Sequence, residues 1–135
     1  MNASLDWVDA LDNPQAIRSL FCDLSTFSEI RLYEISVNRE GPVLRLRFDV
    51  PVVPAPLPKK WPDGANTTQI TVAAWGLGAL RLKGWTTDVC GDLSVSRIGN
   101  EMHIKIAGPT SQFKATFTCL HLERVSGYVA GGREF

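Results

Sequence analysis

The feature that most constrains this chain is a two-residue rhythm of apolar side chains, restarting between short turn signals along most of its length. Leu44, Leu46, Phe48 and Val50 share one parity, while Arg45, Arg47 and Asp49 share the other. Successive side chains of a strand point to opposite faces, so such a run is a strand with one buried and one wetted face. The rhythm returns in Ile70, Val72 and Ala74, in Leu80 and Leu82, in Val89, Leu93 and Val95, in Met102, Ile104 and Ile106, and in Phe113, Ala115, Phe117 and Cys119. A last strand is expected from His121 to Tyr128. Earlier in the chain, Ile30 and Leu32 alternate on one parity and Ile35 and Val37 on the other. A bulge near Tyr33 and Glu34, one extra residue in the ladder, reconciles them.

Turn residues punctuate these runs at Asn38–Pro42, at Gly76 and Gly78, at Gly99-Asn100 and at Gly108-Pro109. The first two predict hairpins. Counting the runs yields about eight strands at roughly ten-residue spacing. The expectation is a mainly β fold with a minor α part: an antiparallel meander closed as a barrel or folded as a two-sheet sandwich.

Two segments break the rhythm. Asn13-Pro14 reads as a cap followed by a first helical residue, and Ile17, Leu20, Phe21 and Leu24 recur at helical spacing, which predicts one short N-terminal helix over 12–24. Between 51 and 66 stand Pro51, Pro54, Pro56, Pro58 and Pro62. Proline lacks the amide donor that a sheet ladder needs, so this stretch is an extended loop. Within it, Trp61 either pins the loop to the sheet or waits for a partner. One domain over 1–135 is expected, with the sheet over 28–128, since 135 residues supply one core.

Composition narrows the function classes. With 44% apolar and 21% charged residues, the chain is not of the disordered type. Fourteen basic against 14 acidic residues leave no global field to draw it onto nucleic acid or an anionic membrane. The start shows no signal-peptide pattern, and no apolar run approaches the roughly 18–20 residues of a spanning helix. Cys22, Cys90 and Cys119 are widely spaced and odd in number, which suits reduced thiols. A soluble, cytoplasmic protein is expected.

A search for reaction chemistry finds little. The histidines are His103 and His121, and neither has a sequence neighbour that completes a triad. Cys119 and His121, two apart on a strand, share a face but show no orienting third group. The cysteines lack metal-ligand spacing, and Gly76-Leu77-Gly78 matches neither a dinucleotide nor a phosphate loop. The sequence therefore reads as a non-enzyme, without metal or cofactor.

Charge is distributed unevenly along the chain. Asp6, Asp9 and Asp12 fall three apart beside Trp7, either facing a basic partner or simply solvating a helix start. Arg39, Arg45, Arg47, Lys59, Lys60, Arg81 and Lys83 make the middle basic. Without interleaved aromatics, those cations read as protection against edge pairing rather than as a nucleic-acid surface.

Taken in order, Trp7, Asn13-Pro14, Ile17, Leu20-Phe21, Gly41-Pro42, Leu46-Arg47-Phe48-Asp49, Pro54, Pro58, Lys60-Trp61, Asn66, Leu80, Gly84-Trp85, Phe117, Cys119 and Tyr128 form a familiar series. The chain resembles immunity protein family 50 of bacterial polymorphic toxin systems along nearly its full length. That resemblance implies a cytoplasmic protein that binds and neutralises a cognate toxin domain by protein–protein contact, and it carries over no contact residue. Two surfaces are candidates for such contact: Asp6, Trp7, Asp9 and Asp12, or the loop residues Lys59, Lys60, Trp61 and Asp63. Two other classes stay open. A barrel or sandwich binding a small apolar ligand requires a cavity between inward residues such as Leu46, Phe48, Ile70, Val72, Leu80, Ile104, Phe113 and Phe117. A small hydrolase requires His103 or His121.

Overall fold

A computed structural model describes residues 2–21 and 27–131, with backbone alone at 2–5. Cys22, Asp23 and Leu24 lie outside the described residues. The elements in chain order are β1 (Asn2–Leu5), α1 (Gln15–Leu20), β2 (Glu29–Asn38), β3 (Val43–Val50), β4 (Thr67–Trp75), β5 (Ala79–Lys83), β6 (Val89–Ile98), β7 (Glu101–Ala107), β8 (Gln112–Phe117) and β9 (Cys119–Tyr128).

The alternation does what its period dictates. In β3, Leu44, Leu46, Phe48 and Val50 are each 0% exposed, and Arg45 and Arg47 on the other face are half-buried. Burying one such side chain contributes roughly 1.5–3 kcal/mol. The bulge in β2 also forms: Leu32 pairs with Phe48 and Glu34 with Arg47, so Tyr33 has no partner across the ladder.

All ladders between named strands are antiparallel, and eight strands follow the order β5-β8-β7-β6-β2-β3-β4-β9. β2 pairs with the first residues of β6, and β1 pairs along the remaining stretch at Val95–Ile98. This is one sheet, not closed into a barrel and not divided into a two-sheet sandwich. Nor is it a simple meander. The hairpin expected between β4 and β5 does not form, because the chain changes partner at Gly76–Gly78. Trp75 pairs with Cys119 of β9, and Ala79 with Thr116 of β8. The Thr118 amide donates to the Trp75 carbonyl at 2.9 Å, and the Gly78 amide to the Thr116 carbonyl at 2.8 Å. Gly76 supplies a φ of 74°, which L side chains resist. The β4–β9 and β5–β8 ladders thus lie end to end, hinged at Gly76–Gly78 and Thr118.

That hinge lets the sheet cover itself. Six helical residues, about 9 Å of helix, are too few to shield eight strands. The inward rows of β3, β4 and β9 instead share one buried cluster with those of β6, β7 and β8. Trp7 completes the cluster: its ring stacks on Phe27 at 6.0 Å, meets Phe48 edge-on at 5.4 Å, and donates Nε1 to the Phe27 carbonyl at 2.9 Å.

The helix is shorter than the 12–24 expected and starts later. Its N-cap is Pro14, with no side-chain cap. Asn13 is used elsewhere: its amide nitrogen donates to the Leu122 carbonyl at 3.0 Å, and its amide oxygen accepts from the Leu122 N–H at 2.8 Å. With the Asp12 amide donating to the Leu120 carbonyl at 2.8 Å, residues 11–13 run along β9 and satisfy its edge at Leu120–Leu122. A carboxamide carries the donor and acceptor of a peptide unit, so it serves where a strand is missing.

Candidate functional site: an aromatic concavity on the outer face

The predicted contact residues do not converge. Trp7 is 3% exposed in the core and unavailable to a partner. Asp9 forms an ion pair with Arg18, and Asp12 accepts from His121 Nδ1 at 2.7 Å, while Asp6 is exposed. Lys59, Lys60 and Asp63 are exposed on the proline-rich loop. Trp61 is half-buried and acts as the pin: a Cβ on Gly127 would fall 2.0 Å from its ring. Gly127 shares the inward face with Thr68 and Ile70, so the loop caps the core there.

Asp12 supplies the third group that the sequence reading of Cys119 and His121 lacked. Cys119 Sγ donates to Asp12 Oδ2 at 3.3 Å, and His121 binds the other oxygen. Burial first, and then the Asp12 carboxylate, push the Cys119 thiol above its ordinary range. A nucleophilic cysteine needs the opposite shift, so the trio ties residues 11–13 to β9. His103 lies 3.0 Å from Glu101, on another part of the sheet. Among the described residues no three His, Cys, Asp or Glu side chains are grouped to hold a metal, and no helix is long and apolar enough to cross a membrane. The inward residues named as liners of a ligand cavity are packed into the core, except Leu80, which is 42% exposed.

What the tertiary structure assembles is a concavity of about 570 Å³ on the outer face, lined by Arg31, Tyr33, Trp85, Tyr128 and Val129 among others. Tyr33, Trp85 and Val129 are 52%, 47% and 54% exposed. The β2 bulge aims Tyr33 outward, where the Arg47 guanidinium lies 5.3 Å from its ring centroid. Arg47 also pairs with Glu34 at 3.1 Å, and Arg31 with Asp88 at 3.2 Å. A part-buried network holds Tyr128 in place: Asp49, 1% exposed, accepts from Gln69 Nε2 at 3.1 Å and from the Tyr128 hydroxyl. Burial, then Asp49, raise the Tyr128 hydroxyl well above its ordinary pKa, so it stays a donor. Exposed Tyr and Trp beside Arg, over a hydrogen-bonded base, are the composition of a protein-binding hot spot.

The Immunity protein 50 family model matches residues 13–128. The chain belongs to the Immunity protein 50 family. No curated protein and no solved structure matches it. As a member of this family, the chain has an immunity function that implies a protein toxin as partner. The match spans every residue of the Tyr33, Arg47, Asp49, Trp85 and Tyr128 constellation. Sequence reasoning missed this surface, although two signals pointed towards it. The parity break at Tyr33 marked a residue turned off the ladder, and Gly84-Trp85 placed a tryptophan beside a turn.

Proposed function

We propose that this Immunity protein 50 member protects a bacterial cell by binding the toxin domain encoded beside it and blocking that domain in the cytoplasm, with no reaction of its own. The observation that carries this reading is the outward concavity with exposed Tyr33 and Trp85 at its rim. A binder acts through shape and charge over about 800 Å² on each partner, and it needs no convergent ionisable centre. Free thiols at Cys90 and Cys119 suit a reducing compartment.

The test is co-expression with the toxin domain of the adjacent reading frame. Rescue of growth and co-purification of the pair are expected from the unaltered protein, and both should be lost in a Tyr33→Ala, Trp85→Ala variant that remains folded. Rescue without a complex, or a complex unaffected by that variant, would remove the concavity from the mechanism.

A further inference from the structure

The two ends of the sheet are treated differently. β9 is covered at Leu120–Leu122 by residues 11–13, through the Asp12 amide and the Asn13 carboxamide. β5, at the other end of the order, pairs with β8 and, among the described residues, with no other segment. All five of its residues are exposed. Leu80 and Leu82, on the core-facing parity opposite Ala115 and Phe113, are 42% and 41% exposed, so the core is sealed at β8 and open at β5.

Beside this edge runs a row of cations. Arg81 stands directly across from Lys114, and Lys114 directly across from Lys105. They line a trough of about 730 Å³ on the outer face, with Ser94, Ser96, His103 and Thr116. Among the described residues none of the three has a carboxylate partner. Side chains directly opposite on neighbouring strands have Cβ atoms about 5 Å apart, and like charges there destabilise the sheet. Edge protection accounts for Arg81 and Lys83. It does not account for Lys105 and Lys114, which sit on interior strands with nothing to protect.

From the open edge, the half-exposed leucines and the cation row together, we infer that β5 is a strand-addition site for an extended segment of the toxin carrying carboxylates at alternate positions and apolar residues between them. The partner strand completes the ladder with its backbone. Its carboxylates face Arg81 and Lys83 on the outer side, within the field of Lys114 and Lys105, and its apolar side chains cover Leu80 and Leu82. Trp85 follows β5 after Gly84 alone, at most about 7 Å of chain from Lys83, so this edge adjoins the aromatic concavity. A nucleic acid fits less well, because the trough is lined by no Phe, Tyr or Trp ring and offers a base only the His103 imidazole, itself paired with Glu101. A second copy pairing β5 antiparallel to β5 would set cation against cation.

That the strand belongs to a toxin rests on the proposed function, and the site itself is tested without one. The probe is an acetylated nine-residue peptide alternating Glu and Val, added to the full chain and followed by fluorescence anisotropy and by hydrogen exchange at residues 79–83. Expected are saturable binding, slowed exchange confined to 79–83, and affinity that falls with salt. The Lys114→Glu and Arg81→Glu variants should each weaken binding at least tenfold. Lys114→Glu also relieves like-charge opposition, so it should leave the unfolding midpoint unchanged or raise it; a structural role would lower it.

Slowed exchange elsewhere, equal binding of a Lys–Val peptide, displacement of the peptide by single-stranded RNA, or protection of 79–83 by self-association alone would each overturn the inference. Peptide binding at β5 in a protein that fails to rescue cells from the adjacent toxin would sink the proposed function and leave the site standing.

Discussion

Tyr128 donates its hydroxyl to Asp49 across 79 residues of sequence, and this bond joins the last strand to β3. Tyr128→Phe removes one of the donors on a carboxylate that is 1% exposed. The expected cost is about 1–3 kcal/mol at neutral pH, read from denaturant midpoints. Because the folded-state pKa is raised from 10.0, the protonated hydroxyl is favoured by folding. Its contribution is complete below about pH 10 and is lost as pH rises beyond that value. Midpoints of the unaltered protein should therefore fall above pH 10, and those of Tyr128→Phe should fall less.

Asn13→Ala should unlatch the covered edge. Both bonds to the Leu122 backbone disappear together, leaving a donor and an acceptor to find water. A loss of about 1–3 kcal/mol is expected, with faster hydrogen exchange at Leu122. Asn13→Asp keeps an acceptor for the Leu122 amide and should show the smaller exchange increase.

Gly127→Ala places a methyl group 2.0 Å from Trp61 Cε3 and 2.6 Å from Cδ2. A ring body cannot yield by that amount, so Trp61 and the proline-rich loop must lift from the sheet. Overpacking of this kind costs about 1–3 kcal/mol. Tryptophan emission should shift to the red, and the shift should vanish when Trp61 is Phe in both backgrounds.

Tyr33→Ala and Trp85→Ala act on exposed rings, so each should leave the unfolding midpoint within about 0.5 kcal/mol of the unaltered protein. Toxin affinity should fall by about 2 kcal/mol or more at either position. Isothermal titration with the purified toxin domain reads the loss, and thermal melts confirm the fold.

Charge at the N-terminus offers a lesson in what spacing conceals. Asp6, Asp9 and Asp12 look alike in sequence, yet Asp9 is taken by Arg18 and Asp12 by His121 and Cys119. The partners of Asp12 lie more than a hundred positions away, and no local pattern reports them. Trp7 behaves the same way. Its acidic neighbours made it look like a surface anchor, but its indole is used between Phe27 and Phe48.

Sequence alone determined the inward rows of β3, β4, β6 and β7, the parity break at Tyr33, and the absence of a strand between 51 and 66. These follow from backbone geometry, since strands alternate and proline withholds a donor, and neither fact depends on the neighbouring strand. Sequence misplaced Cys119: the rhythm sets it on the row of Phe117, but it pairs with exposed Trp75, on the face opposite the one that buries Leu120. Tertiary structure alone decided that β5 leaves β4 for β8, that the sheet stays open, that Asn13 covers β9 instead of capping α1, and that Tyr33, Trp85 and Tyr128 meet. An inward row of leucines packs as well against one strand as another, so periodicity is silent on pairing. Register, hinge geometry and the satisfaction of every buried amide choose among the pairings, and those are properties of the whole chain.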